Sequence, residues 1–258
     1  MSFEGFPQNA IYTDYFTASV FLLDCIKRMA AGIPLTLELA ALSLLCGALL
    51  GLLFALICLA RNPFAATVGW VYVQVIRSTP LLVLLFLIYY GVGQFAAVRH
   101  SILWPFLRTP YYCALLALII NSSGYAAEII RGGLQSVPVN EIEAARACGM
   151  SGVVLYRRII LPIAIRQALP AFSNEVISMI KATSMVSLVT LMEVTSIAGE
   201  IASETYRPLP VFIAAGVIYL VINFILTRLI QAIEYKLSAH KRPVTVNVRL
   251  KAPGSDFH

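Results

Sequence analysis

Charge is scarce in this sequence. Only 12% of its 258 residues are Asp, Glu, Lys or Arg, against 59% hydrophobic, and the mean hydropathy is +0.83. A soluble domain carries about a quarter charged residues, so water alone would not keep this chain folded and a membrane protein is expected. Histidine is also scarce, and His100, His240 and His258 form no ligand cluster. The cysteines Cys25, Cys46, Cys58, Cys113 and Cys148 show no Cys-x-x-Cys spacing. They read as small packing residues, neither a metal site nor a disulfide framework. A Gly-rich Walker A stretch is missing, so the chain cannot cradle ATP phosphates in that way. No constellation of nucleophile and base stands out, and the chain reads as no enzyme. The first twenty residues include Glu4, Pro7 and Asp14 and lack a basic start followed by an apolar stretch. No secretory signal peptide is read there.

What is present in quantity is uncharged, apolar sequence. A hydrocarbon core of about 30 Å needs about 20 apolar residues in a helix rising 1.5 Å each. Leu39 to Ala60, Leu81 to Val98, Thr109 to Ala127 and Pro208 to Thr227 each meet or approach that length without a charge. Gln167 to Ala202 is apolar but interrupted by Glu175, Lys181, Glu193 and Glu200. These runs predict an all-α, polytopic membrane protein with about five transmembrane helices.

The nineteen Lys and Arg set the expected orientation. If the segment around Glu143 is cytoplasmic, twelve fall inside: Arg61; Arg131, Arg146, Arg157, Arg158 and Arg166; and Arg228, Lys236, Lys241, Arg242, Arg249 and Lys251. Five fall outside, namely Lys27, Arg28, Arg99, Arg108 and Arg207, with Arg77 and Lys181 near or within spans. The positive-inside rule then puts the N-terminus outside and the C-terminus inside. The net charge of +6 follows from that bias and needs no nucleic-acid partner. The division expected is a periplasmic or interfacial segment 1–32, a transmembrane domain 33–235 with a cytoplasmic loop 136–166, and a basic cytoplasmic tail 236–258.

Smaller features fill in this outline. Gly47, Gly51 and Ala55 place small residues four apart on one face of the first span, for close approach by another helix of the bundle or by a second subunit. Arg61-Asn62-Pro63 ends that helix. Pro80 suits a first helical turn, so the second span is expected to begin at Arg77-Ser78-Thr79-Pro80, with Arg77 at the headgroup level. Trp104, Tyr111 and Tyr112 sit where amphipathic aromatics anchor at an interface.

The most informative stretch is the charged insert EAARACGMSGVVLYRRIILP, Glu143 to Pro162, between apolar runs. Asn140 can cap a helix whose third residue is Glu143. Gly149 then allows a turn, Val153 to Ile160 forms a second helix, and Pro162 interrupts it before the chain returns to the membrane. An ordinary solvated loop with basic residues toward lipid headgroups is the plain alternative.

The insert follows the pattern Glu-Ala-Ala, three residues, Gly, nine residues, Ile-x-Leu-Pro. Glu143, Ala144, Ala145, Gly149, Ile159, Leu161 and Pro162 fill every fixed position. It resembles the cytoplasmic segment of permease subunits in bacterial ATP-binding-cassette importers. The segments NSSGYAAEIIRGGLQSVP (Asn121 to Pro138), LPAFSNEVISMIKATS (Leu169 to Ser184) and Glu204 to Pro208 resemble the M-type permeases for histidine, related basic amino acids and opines such as octopine or nopaline. In polar-amino-acid permeases the Arg77 stretch is usually Arg-Gly-Thr-Pro, and here Ser78 stands in place of the Gly.

The resemblance implies a type I importer permease fold with five spans, paired with a homologous second permease, two copies of a cytoplasmic ATPase and a periplasmic binding protein. It implies that Glu143, Ala144, Ala145, Gly149, Arg157, Arg158, Ile159, Leu161 and Pro162 couple the chain to the ATPase. ATP and Mg would then belong to that partner, with no cofactor bound by this chain. The cargo implied is a basic amino acid or opine.

Charged residues within spans normally face protein or water, because insertion at the bilayer centre costs about 2.5–3.5 kcal/mol. Glu128 and Arg131, three apart, are expected to pair on one helix face, and Glu38 to be paired or to snorkel. The polar path candidates are Asn174, Glu175, Ser178, Lys181, Thr183 and Ser184, with Ser187 beyond them; helix–helix packing is the alternative for each. Glu193, Glu200 and Glu204 on the outer side would attract a cation or be solvated loop charges. An ion-coupled secondary transporter or channel, and a non-transporting scaffold, stand as the competing functions, although no inverted repeat is evident.

Overall fold

The computed structural model describes residues 20–237, and the regular elements among them are all helical. What was expected of residues 1–19 and of the tail beyond residue 237 lies outside the described residues. Three helices are long and apolar enough to cross a membrane, and the count rises to five if each of two bent helix pairs is one span.

Helix α1 (Val20–Cys58) runs through a short 3-10 turn at Ala30–Gly32 without breaking. Its 39 residues extend about 58 Å at 1.5 Å each, more than the hydrocarbon core needs, so one end stands clear of the apolar slab. Residues 20–32 carry the charges Asp24, Lys27 and Arg28. Leu22, Cys25, Ile26 and Met29 pack into an apolar cluster with Val194, Ala198, Ile201, Val211 and Ala214.

The second crossing differs from expectation. Helix α2 (Pro63–Ser78) is already regular before Arg77, capped by the Asn62 side chain accepting from the Phe64 amide at 3.0 Å. Helix α3 (Leu81–Phe86), prolonged by turns to Gln94, leaves α2 at 101°. The cause is local: a residue before proline is pushed to extended backbone, and Thr79 sits at φ −88°, ψ 123°. Arg77 therefore lies inside a bent crossing, away from the headgroup level. Sixteen residues of α2 reach only about 24 Å, too short to span alone, which is why the sequence hid it.

Short helices α4 (Ala96–Arg99) and α5 (Trp104–Leu107) lead to α6 (Pro110–Gln135). Helices α1 and α6 form the centre of the bundle. A Cβ placed on Gly51 would stand 2.7 Å from the Ala126 Cβ, 2.8 Å from the Ala127 amide nitrogen and 2.9 Å from the Ser123 carbonyl oxygen. Gly47 meets Ser122 as closely. The small-residue face thus serves contact within the chain.

Helix α7 (Val139–Ala147), α8 (Gly152–Leu155) and a π-turn at Tyr156–Ile160 lead into α9 (Leu161–Ala182), continued by a 3-10 turn to Val189. Pro162 does not break this run. The π-turn just before it widens the backbone where the proline lacks its amide and its ring would crowd the carbonyl four residues back. The apolar run to Ala202 is bent within: Thr190 turns left-handed (φ 67°) and Glu193 starts helix α10 (Val194–Thr205) at 50° to the segment before it. Helix α11 (Pro208–Leu237) makes the last crossing.

Candidate functional site

The insert folds as a compact protrusion. Helix α7 starts two residues earlier than expected: the Pro138 carbonyl accepts from the Glu141 and Ile142 amides at 3.1 and 3.4 Å, so Asn140 lies within the helix and does not cap it. At its other end the Met150 amide donates to the Ala145 carbonyl at 3.0 Å and the Gly149 amide to the Arg146 carbonyl at 2.9 Å. With Gly149 at φ 79°, this is a Schellman ending, which needs a residue free of the Cβ penalty. Gly152, at φ 52°, makes a second left-handed step that the sequence pattern did not flag.

A small core holds the protrusion: Val137, Ala145, Leu155, Ile160 and Ala164, with Ile142, Met150 and Ile159 against it. The motif residues divide accordingly. Ala145 is buried, Ile159 and Pro162 half-buried, and Glu143, Ala144, Gly149, Arg157, Arg158 and Leu161 exposed. Among the described residues Glu143, Arg157 and Arg158 make no ion pair. Val139, Val153, Val154 and Tyr156 are exposed on the same protrusion, Val153 at 80%. The protrusion thus carries unpaired charge beside bare apolar surface, and the apolar members were missed because a sequence does not say which side of a short helix lacks a neighbour.

A cavity of about 450 Å³ lies between the α2–α3 bend, α6 and α9. Arg77, Ser78, Thr79, Asn121, Tyr125, Glu175 and Ser178 are among its lining residues. Asn121 is eleven residues into the 26-residue α6, about 17 Å along a helix of about 39 Å, so the cavity lies midway through the crossing. Glu175 is 9% exposed, and no cation pairs with it among the described residues.

The structure brings only Glu175 and Ser178 of the expected polar path into this cavity. Asn174 lines a separate cleft of about 200 Å³ with Thr227, Gln231 and Glu234. Lys181 is exposed and off the cavity wall, while Thr183 and Ser184 donate to the carbonyls of Ile180 and Lys181, each at 2.7 Å. Ser187 donates to the Ser184 carbonyl at 2.7 Å. Arg77, Asn121 and Tyr125 were missed. One signal was available: Arg77 is the single charge between Arg61 and Arg99, with uncharged sequence on both sides.

The other in-span charges are satisfied locally. Glu128 takes two donors from Arg131, at 3.0 and 2.5 Å, and Arg131 reaches Gln135 at 2.6 Å. Glu38 accepts from the Tyr111 hydroxyl at 2.5 Å. Glu193 is fully buried, accepting from the Ser196 amide at 2.8 Å and the Tyr219 hydroxyl at 2.6 Å. Glu204 pairs with Arg28 at 2.9 Å. Only Glu200 of the outer carboxylates is exposed without a described partner.

Residues 47–239 match the family described as binding-protein-dependent transport system inner membrane component. The chain belongs to that family. Over 239 residues the permease is 50% identical to the octopine transport system permease protein OccM of Rhizobium meliloti, covering 93% of this chain and 98% of the relative. It is 49% identical over 222 residues to the nopaline transport system permease protein NocM of Agrobacterium fabrum, covering 86% and 92%. It is 38% identical over 213 residues to the histidine/lysine/arginine/ornithine transport system permease protein HisM of Escherichia coli K12, covering 82% and 90%. A chain in the crystal structure of an amino acid ABC transporter with histidines superposes at TM-score 0.75, with 36% identity over 84% of this chain and 97% of that one. A chain of an inward-facing methionine ABC transporter, at 18% identity and TM-score 0.62, shares the fold. The permease is thus an inner-membrane transport subunit with the type I importer fold, and the ion-coupled alternative is not favoured.

Proposed function

We propose that the permease moves a basic amino acid or an opine into the cytoplasm through the cavity between α2, α3, α6 and α9. The observation that carries this reading is Glu175, a buried carboxylate unpaired by any described cation and lining a cavity at mid-membrane. Such a group favours an ammonium or guanidinium ligand. The octopine, nopaline and histidine-type permeases among its relatives support that substrate class.

Energy comes from a separate ATPase, holding ATP and Mg, docked on the exposed face of the protrusion around Glu143, Arg157 and Arg158. Ala145, Ile159 and Pro162 act beneath that face by holding its shape. A homologous second permease completes the pathway and a periplasmic binding protein delivers the ligand. The N-terminus lies outside and the C-terminus inside, in line with the twelve-to-five basic bias.

The test is uptake by proteoliposomes containing the complex co-purified from its native cell, with ATP enclosed and the binding protein outside. Labelled octopine, L-arginine and L-histidine are the probes. Uptake of at least one that requires ATP, and that falls per assembled complex in Glu175→Gln, is expected. Uptake driven by an ion gradient without ATP would overturn the reading. Undiminished uptake in Glu175→Gln would remove the cavity from it.

A further inference from the structure

We infer that Arg77 is the carboxylate-recognising residue of the cavity, so that a ligand is held by opposite charges, its acid group at the α2–α3 bend and its cationic group at Glu175 on α9. The inference rests on the reading of the cavity as the ligand site.

The placement of Arg77 is unusual for its chemistry. Its Cγ lies 3.4 Å from the position of a Cβ on Gly124, which is fourteen residues into α6 and eleven from its end. That puts the base of the side chain about 21 Å from one end of the helix and about 17 Å from the other. A guanidinium stays protonated at this depth and needs protein or water around its five donors. Among the described residues the Arg77 side chain makes no hydrogen bond and no ion pair; its guanidinium carbon stands 5.7 Å from the Tyr125 ring centre. Glu128, one turn beyond Tyr125, lies within the field of Arg77 but takes its hydrogen bonds from two donors of Arg131. What Arg77 does face is the cavity.

Two opposite charges on different helices of one cavity discriminate by exclusion as well as attraction. A simple cation meets Glu175 but is repelled by Arg77, and a simple anion meets the reverse. A zwitterion with its charges separated along the molecule satisfies both. The planar fork of Arg77 can take a carboxylate with two parallel hydrogen bonds, so an acid with a second carboxylate beside the first, as an opine has, gains most from this wall.

The experiment is direct binding to the purified transport complex in nanodiscs, without binding protein, using labelled octopine, L-arginine and agmatine, the last being arginine without its carboxylate. Wild type should bind octopine and arginine more tightly than agmatine. Arg77→Gln should weaken octopine and arginine at least tenfold while leaving agmatine binding as tight as before or tighter, because its repulsion goes with the charge. Arg77→Lys, which keeps the charge but not the fork, should recover part of the arginine affinity. Equal weakening of all three probes, or unchanged octopine and arginine binding, would overturn the inference; so would loss of assembled complex in both Arg77→Gln and Arg77→Lys, which marks a structural residue. The underlying reading fails separately: Glu175→Gln that leaves agmatine and arginine binding unchanged shows that the cavity is not the ligand site.

Discussion

Gly149 offers the sharpest separation of coupling from folding. Its backbone is left-handed at φ 79°, and a Cβ there would meet nothing within 4 Å. A substitution therefore introduces strain without collision. An L-residue in this conformation costs about 1–2 kcal/mol, and a β-branched side chain lies at or beyond the upper end. At about 1.4 kcal/mol per tenfold, Gly149→Val lowers the equilibrium constant for forming the Schellman turn about 30-fold at about 2 kcal/mol. The small core under Ala145 and Leu155 touches α6 at its last turn, through Leu134, whereas the α1–α6 contacts at Gly47 and Gly51 lie farther back along α6. Membrane level and subunit assembly should hold, and ATP-driven uptake per complex should fall at least about tenfold. Gly149→Asn is the control, because Asn tolerates left-handed backbone and should retain most of the transport. Wild-type uptake by the valine variant at normal membrane levels would refute the reasoning. Equal loss in the asparagine variant would show that any side chain obstructs docking and that strain is not the cause.

The bundle centre should behave oppositely. Gly51→Leu drives a side chain into Ala126 and the backbone of Ala127, so assembled complex should be lost in pull-down from membranes, and even Gly51→Ala should cost about 1–3 kcal/mol in thermal unfolding. Glu193→Ala removes the cap of α10 and a partner of the Tyr219 hydroxyl, worth about 2–4 kcal/mol together, and should lower the melting temperature of the detergent-purified complex more than Glu193→Gln does. For topology, Ser151→Cys in a background without native cysteine should react with an impermeant thiol reagent only after the inner membrane is opened, and labelling of intact cells would reverse the orientation.

How much of this was legible in the sequence differs from residue to residue. The pairing of Glu128 with Arg131 was readable because both partners lie on one helix face, three residues apart. The Gly149 turn was readable for the same local reason. Glu193, Glu200 and Glu204 looked alike, one outer carboxylate after another, yet the first is buried against Tyr219, the last is bound to Arg28 at the surface and only the middle one is without a described partner. Nothing within a few residues of them distinguishes the three. The burial of Glu193 and the pairing of Glu204 come from α1 and α11 packing over one side of α10.

The apolar runs, the uneven spread of basic residues and the Glu143 to Pro162 motif follow from the sequence alone, because hydropathy, charge placement and turn residues act over lengths of one helix or less. Proline 80 even determines the 101° bend, through the extended backbone it imposes on Thr79. The position of Arg77 was decided only by the tertiary structure. Its depth depends on α2 docking against Gly124, some 47 residues further along the chain, and its chemistry depends on Glu175 being carried to the same cavity by a third helix. Local rules choose where a helix begins and bends, whereas the burial and the partners of a charge are set by whichever distant surfaces close around it.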